Sequence, residues 1–207
     1  MVIPCACQVF SPDNTHYPAP VRCFHLTADI TRNYMNENHI FFFTATIVEW
    51  KHLLKPDKYK QLIVDSLKYL VSEQKIVLYA YVIMPNHIHV LWRIIEPNEL
   101  SAVKRDFLKF CSQNIKFDLE KNHPNVLELF KSNRKDRKYQ FWQDRSYNTP
   151  LHNRNVVVQK LEYIHNNPLS KNWKLVSAPE EYFYSSAAFY LRGNVDNDFI
   201  THYIEET

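Results

Sequence analysis

The sequence predicts an α+β protein: a ferredoxin-like split βαβ sandwich with an antiparallel sheet, helices on one face and a further helix near the C-terminus. Three features carry this expectation. The hydrophobic period alternates between strand and helix values in the order β-α-β-β-α, which one more strand would complete. Only Pro85-Asn86 separates the second apolar run from the third, so those two strands form a hairpin. With 207 residues and 45% hydrophobic side chains, the chain can bury a substantial core without disulfide or metal staples.

Residues 1–34 carry prolines and scattered polar residues but no sustained hydrophobic period. They are expected to be a flexible extension or the product of a misplaced translation start, with Met35 just before the change, and residues 35–207 to form a single domain. Ile40 to Trp50 is β-branched and aromatic with Thr44 and Thr46 interleaved, and reads as the first strand. Pro56-Asp57 opens a helix in which Tyr59, Ile63, Leu67 and Leu70 recur at helical spacing. Ile76 to Met84 and His87 to Ile95 are the hairpin strands. Pro97-Asn98 starts a helix carrying Leu100, Val103, Phe107, Cys111 and Ile115 on one face, and His123 to Lys131 reads as a short helix. The last strand is expected at Lys138 to Gln143. After Thr149-Pro150, Asn153 to Asn167 forms a helix whose buried stripe is Val157, Leu161 and Ile164. Val156, Lys160, Tyr163 and Asn167 follow the neighbouring stripe, and Pro168 ends the helix.

Composition removes several functions. The single glycine, Gly193, excludes phosphate-cradling and dinucleotide-binding loops, each of which needs several. Four cysteines, three of them in the first 23 residues, give no disulfide framework, so a reducing cytoplasm is the expected location. Cys5-Ala6-Cys7 lacks the gap of zinc ligands. No apolar run approaches the roughly 18 residues of a membrane span. The net charge is only +3, yet Lys131 to Arg145 holds six Lys/Arg against two Asp, a local excess larger than the charge of the entire chain.

Two short elements, about 75 residues apart, carry the chemistry. In Met84-Pro85-Asn86-His87-Ile88-His89-Val90, a strand puts His87 and His89 on one face and Ile88 on the other, giving half of a metal site. In Tyr163-Ile164-His165-Asn166-Asn167-Pro168, a helix stacks Tyr163 and Asn167 one turn apart, so a phenol and an amide oxygen reach one small volume. A strand histidine pair and a helix tyrosine suit metal-assisted transesterification of a phosphodiester, with the phenol as nucleophile. A phenol titrates near about 10 and needs help to lose its proton, from a metal ion or from Lys160. His165, at i+2 from Tyr163, points away from it and reads as structural. Lys131, Arg134, Lys135, Arg137, Lys138 and Arg145 surround Tyr139, Phe141 and Trp142, mixing phosphate-neutralising charge with rings that can stack on unpaired bases. A solvated loop with Trp142 in the core is the competing reading.

These motifs, with Phe141-Trp142-Gln143 and Tyr184-Ser185-Ser186, occur in the order found in the single-tyrosine HUH transposases, and the chain most closely resembles the REP-associated tyrosine transposases from about His39 to Tyr190. The resemblance implies that His87 and His89 bind a divalent ion, Mg2+ or Mn2+, and that Tyr163 forms a 5′-phosphotyrosine with single-stranded DNA near a hairpin. It implies a third ligand one helical turn after the tyrosine, here Asn167, where some relatives have glutamine. Imidazole ligation by itself fits manganese somewhat better. Monomer and homodimer are both open, since some relatives assemble the site from two subunits. Two other functions compete: a non-cleaving hairpin-DNA-binding protein descended from such enzymes, and a metal-dependent hydrolase that does not need Tyr163. The role of Tyr184-Ser185-Ser186 is either packing or strand positioning.

Overall fold

The computed structural model describes residues 39–193 and 198–206. The expected extension at 1–34 and its boundary at Met35 lie outside them, as do Cys5, Cys7 and Cys23.

Four strands form one sheet: β1 (Ile40–Thr46), β2 (Ile76–Ile83), β3 (His87–Ile94) and β4 (Tyr147–Leu151), in the order β2-β3-β1-β4 with every neighbouring pair antiparallel. Helix α1 (Asp57–Ser72) connects β1 to β2, and β3 is inserted between those two strands, which is the split βαβ arrangement of the expected ferredoxin-like sandwich. Helix α2 (Leu100–Asn122) follows β3, and the short α3 (Pro124–Glu128) follows it. Helix α4 (Arg154–Asn166) comes after β4, and α5 (Ala187–Arg192) is near the C-terminus. Among the described residues no helix is long and apolar enough to cross a membrane.

Alternation along the strands sends side chains into two cores. Phe41, Phe43 and Ala45 of β1 and Ile88, Val90 and Trp92 of β3 meet Ile63 and Leu67 of α1 and Phe107, Cys111 and Ile115 of α2. Phe43 stacks on Trp92 with ring centroids 4.9 Å apart. Phe42 of β1 and Leu91 of β3 point to the opposite face, where Val157, Leu161 and Ile164 of α4 cover them. A register shift between Leu78 and Ala80 lets Tyr79 and Ala80, consecutive in sequence, both enter this second core.

The fourth strand is not where the sequence places it. Lys138 to Gln143 makes only isolated bridges, Lys131 with Tyr139 and Ile47 with Trp142, and the strand that pairs with β1 is Tyr147–Leu151. The physical reason is burial: Phe141 and Trp142 are adjacent yet both buried in the first core, so the segment cannot alternate faces as a strand does. Pro150, which marks a break when read in sequence, is tolerated because β4 is an edge strand and its missing N–H removes no required ladder bond.

The other edge, β2, is covered by Tyr184-Ser185-Ser186. Ile83 N–H donates to the Tyr184 carbonyl at 2.9 Å, Ser186 N–H to the Tyr81 carbonyl at 3.0 Å, and Tyr81 N–H to Ser186 Oγ at 3.0 Å. This segment therefore satisfies edge groups that would otherwise pair with another chain. Ser186 Oγ also lies 2.9 Å from His165 Nε2, which ties α4 to the same edge.

Candidate active site

Each site residue is delivered by a separate element. The odd positions of β3 put His87 and His89 on the α4 face, opposite Ile88 and Val90, and both imidazoles are buried. Asn153 caps α4, its side chain accepting from Val156 N–H at 3.0 Å, so the helix starts in fixed register. Nearly three turns on, Tyr163 meets His89 with ring centroids 5.1 Å apart, and Phe42 from β1 stacks on His89 at 5.3 Å while touching Tyr163 edge-on at 6.0 Å. Asn167 heads a 3-10 turn (Asn167–Leu169) that Pro168 imposes at the helix end, and its Oδ1 lies 3.3 Å from His87 Nε2. The four side chains that sequence reasoning selected for the chemistry thus meet in one place.

Hydrogen bonds around the imidazoles define where their lone pairs point. Asn86 Nδ2 donates to the Trp50 carbonyl at 3.1 Å, which turns Asn86 Oδ1 toward His87 Nδ1, 2.6 Å away. An oxygen there can only accept, so Nδ1 carries the proton and Nε2 presents its lone pair toward Asn167. Two acceptors then face each other, an arrangement that a cation between them relieves. His89 Nδ1 pairs with Thr44 Oγ1 at 2.8 Å, while its Nε2 is buried without a hydrogen-bond partner. A buried, unsatisfied ring nitrogen costs on the order of 1–3 kcal/mol unless something ligates it.

Electrostatics favour the same state. Burial pushes His87 down to about 4, with the Asn167 contact opposing the shift. Burial also drives His89 well below the usual histidine value, reinforced by the charges of His87 and Lys160. Both rings are therefore neutral near pH 7, the form that binds metal. The donor set is two imidazole nitrogens and an amide oxygen, and it fits a divalent ion such as manganese or magnesium. Among the described residues no group of three or more His, Cys, Asp or Glu that could hold a metal ion assembles.

Lys160, one turn before Tyr163, places Nζ 4.9 Å from the Phe42 ring centroid and 5.7 Å from that of Tyr163. Burial lowers its pKa. Tyr163 itself is 39% exposed, open to a large substrate. A cavity of about 420 Å³ bounded by Lys51, Tyr59 and Phe130 includes none of these groups.

The basic segment divides. Lys131, Arg134, Lys135, Arg137, Lys138 and Arg145 are exposed, but Arg134 is paired with Asp144 and Arg137 with both Asp136 and Asp144. Trp142 corrects the expected base-stacking role: it is 8% exposed within the first core, and its ring face is not available to a base. His165 is buried against Ser186 and Tyr190 and is not part of the histidine cluster.

Sequence reasoning missed Asn86, Thr44, Trp50 and Trp173. Asn86 reads as a turn residue after Pro85, and nothing local shows that its amide orients His87. Thr44 acquires its role only through the pairing that sets it opposite His89. Trp50 and Trp173 flank His87 with centroids at 6.2 and 6.0 Å.

No protein-family model matches the chain, and no curated protein does. Among solved structures, a REP-associated tyrosine transposase bound to a REP hairpin aligns with a TM-score of 0.55 at 16% identity, covering 88% of this chain and 88% of that one. A candidate transposase from Deinococcus radiodurans aligns over 61% of this chain and 88% of its own at 16% identity, but its TM-score of 0.36 is too low to argue from. The first alignment establishes a shared fold.

Proposed function

We propose that this chain, which has the fold of a REP-associated tyrosine transposase, belongs to that group of single-tyrosine HUH transposases and cleaves and rejoins single-stranded DNA at hairpin-containing sites. Tyr163 is the nucleophile. Its oxygen attacks the scissile phosphorus in line, the new Tyr–O–P bond forms as the bond to the departing 3′ oxygen breaks, and the products are a 5′-phosphotyrosine and a free 3′ hydroxyl. Because one phosphoester replaces another, the reverse attack by a 3′ hydroxyl rejoins DNA without ATP. Lys160, whose Nζ lies 5.7 Å from the Tyr163 ring centroid, is the side chain placed to assist loss of the phenol proton. His87, His89 and Asn167 would hold a divalent ion, Mg2+ or Mn2+, which would supply charge neutralisation at the scissile phosphate.

The observation that carries this reading is the unpartnered, buried Nε2 of His89, an imidazole whose centroid lies 5.1 Å from that of the Tyr163 ring. A hydrolase using the histidines alone would not need a tyrosine held there. That His87, His89 and Tyr163 converge within one chain supports a site complete in a monomer.

The test is incubation with single-stranded hairpin DNA from the region flanking the gene, with Mn2+ or Mg2+, followed by denaturing electrophoresis. The expected result is a protease-sensitive protein–DNA band that Tyr163→Phe abolishes. Cleavage retained in Tyr163→Phe would establish the hydrolase instead, and tight binding with no adduct in either metal would establish a non-cleaving DNA-binding protein.

A further inference from the structure

The residues beside His87 form a surface that the proposed chemistry does not use. Immediately after β1 the chain makes a 3-10 turn (Val48–Trp50) in which both Glu49 and Trp50 have left-handed backbone, with φ of 55° and 56°. That conformation is unfavourable for residues with a Cβ, and two in succession persist only where the surroundings enforce them. The enforcing group is Asn86, whose amide donates to the Trp50 carbonyl at 3.1 Å while its oxygen accepts from His87 Nδ1 at 2.6 Å. One buried side chain thus sets both the imidazole and the indole-bearing turn.

The indole so placed is 55% exposed. It meets the His87 ring edge-to-face at an interplanar angle of 73°, a contact that can cover only one face of the indole and leaves the other for a stacking partner. Across His87, Trp173 approaches at 6.0 Å and contacts His52 at 5.4 Å. Lys174 follows Trp173 directly and supplies a cation beside the rings, whereas the Lys51 ammonium after Trp50 is taken up by Glu49, the Leu129 carbonyl and the Phe130 ring.

Building on the reading that a phosphodiester of single-stranded DNA is held at His87 and His89, we propose that Trp50 is the stacking platform for an unpaired base within one or two nucleotides of the scissile phosphate. The occupant is a base and not a peptide or lipid group, because the platform is continuous with the phosphate-handling site and is offset from it by a single ring. Stacking of this kind tolerates any base, since every base has a π face. Trp50 therefore contributes affinity and positioning, and sequence choice is made elsewhere. Asn86 acts as a positioning residue that keeps the platform and His87 in one frame.

The experiment is an abasic scan. A hairpin oligonucleotide with single-stranded flanks is prepared with a tetrahydrofuran abasic unit at each unpaired position in turn, and binding is measured for the wild type, Trp50→Ala, Trp50→Phe and the non-aromatic Trp50→Leu. At one position the abasic unit is expected to weaken wild-type binding about tenfold, or about 1.4 kcal/mol. At that position alone it should cost Trp50→Ala and Trp50→Leu nothing further, while Trp50→Phe keeps most of the wild-type pattern. An abasic penalty identical in the wild type and both non-aromatic variants at every position overturns the platform. If the wild type still forms the Tyr163 adduct in that case, the transposase reading survives and only this inference falls. If the wild type neither binds nor reacts with hairpin DNA, both fall together.

Discussion

Strand β3 supplies two regions that differ by one residue in register. Ile88, Val90 and Trp92 enter a core sealed by α1 and α2, where their neighbours are almost all hydrocarbon or aromatic. His87 and His89 enter the opposite face under α4, where they too are buried but end on ring nitrogens, one hydrogen-bonded tightly and one unsatisfied. On the first face burial stabilises the fold. On the second, burial lowers the pKa of both imidazoles and leaves one ring nitrogen of His89 without a hydrogen-bond partner, which costs stability. Hydrocarbon packing and the proposed chemistry thus fall on opposite faces of one strand, so substitutions should move either one alone.

The largest effect separates them from the chemical side. Tyr163→Phe removes one oxygen from a residue that is 39% exposed, so adduct formation should fall to background while the thermal midpoint stays within about a degree of the wild type. Adduct formation is read by electrophoresis and stability by calorimetry. A large loss of stability in this variant would mean that the tyrosine belongs to the core and that the two faces are not separable.

The converse substitution attacks the apolar face. Phe43 is completely buried and stacked on Trp92, and truncation to alanine should cost about 3–5 kcal/mol of unfolding free energy in urea. The adduct formed per folded molecule should be unchanged well below the new midpoint. A fall in specific activity without a fall in the folded fraction would show that the first core transmits strain to the histidines.

Asn86→Ala tests the amide that orients His87. Removing Oδ1 frees the imidazole to adopt the other tautomer, with its proton on Nε2, and loss of such a partner typically weakens metal binding about 10- to 100-fold. Titration of Mn2+ by calorimetry should show that loss, with the thermal midpoint of the metal-free protein reduced only modestly. Unchanged Mn2+ affinity would place the ligand nitrogen on Nδ1 or take His87 out of the set.

The same contrast explains what could be read from sequence. The apolar face was legible because periodicity is a local property: Tyr59, Ile63, Leu67 and Leu70 mark α1, and Val157, Leu161 and Ile164 mark α4, without reference to anything distant. The histidine pair and the tyrosine were legible because i, i+2 on a strand and i, i+4 on a helix are also local. What failed depended on contacts between elements. Phe141 and Trp142 look like strand residues but are drawn into the core side by side, and β4 forms around a proline that only an edge position permits. Thr44 and Asn86 became site residues through a register and an amide orientation that no spacing encodes.

The smallest effect concerns the exposed cations, a third kind of surface in which neither burial nor orientation is decisive. Arg137 already has Asp136 and Asp144 as counterions, so a phosphate that it contacts displaces carboxylates more than mobile salt. Among the described residues Lys135 has no acidic partner, so its neutralisation by phosphate releases bound counterions in full. Lys135→Ala should therefore lower the slope of log affinity against log salt by about 0.7 for single-stranded DNA, with Arg137→Ala producing a smaller change. The measurement is hairpin binding across a KCl series. Equal slopes in Lys135→Ala and wild type would move the DNA path away from this segment and toward the rim formed by Trp50, His52 and Trp173, where the ring contacts already lead from the histidines.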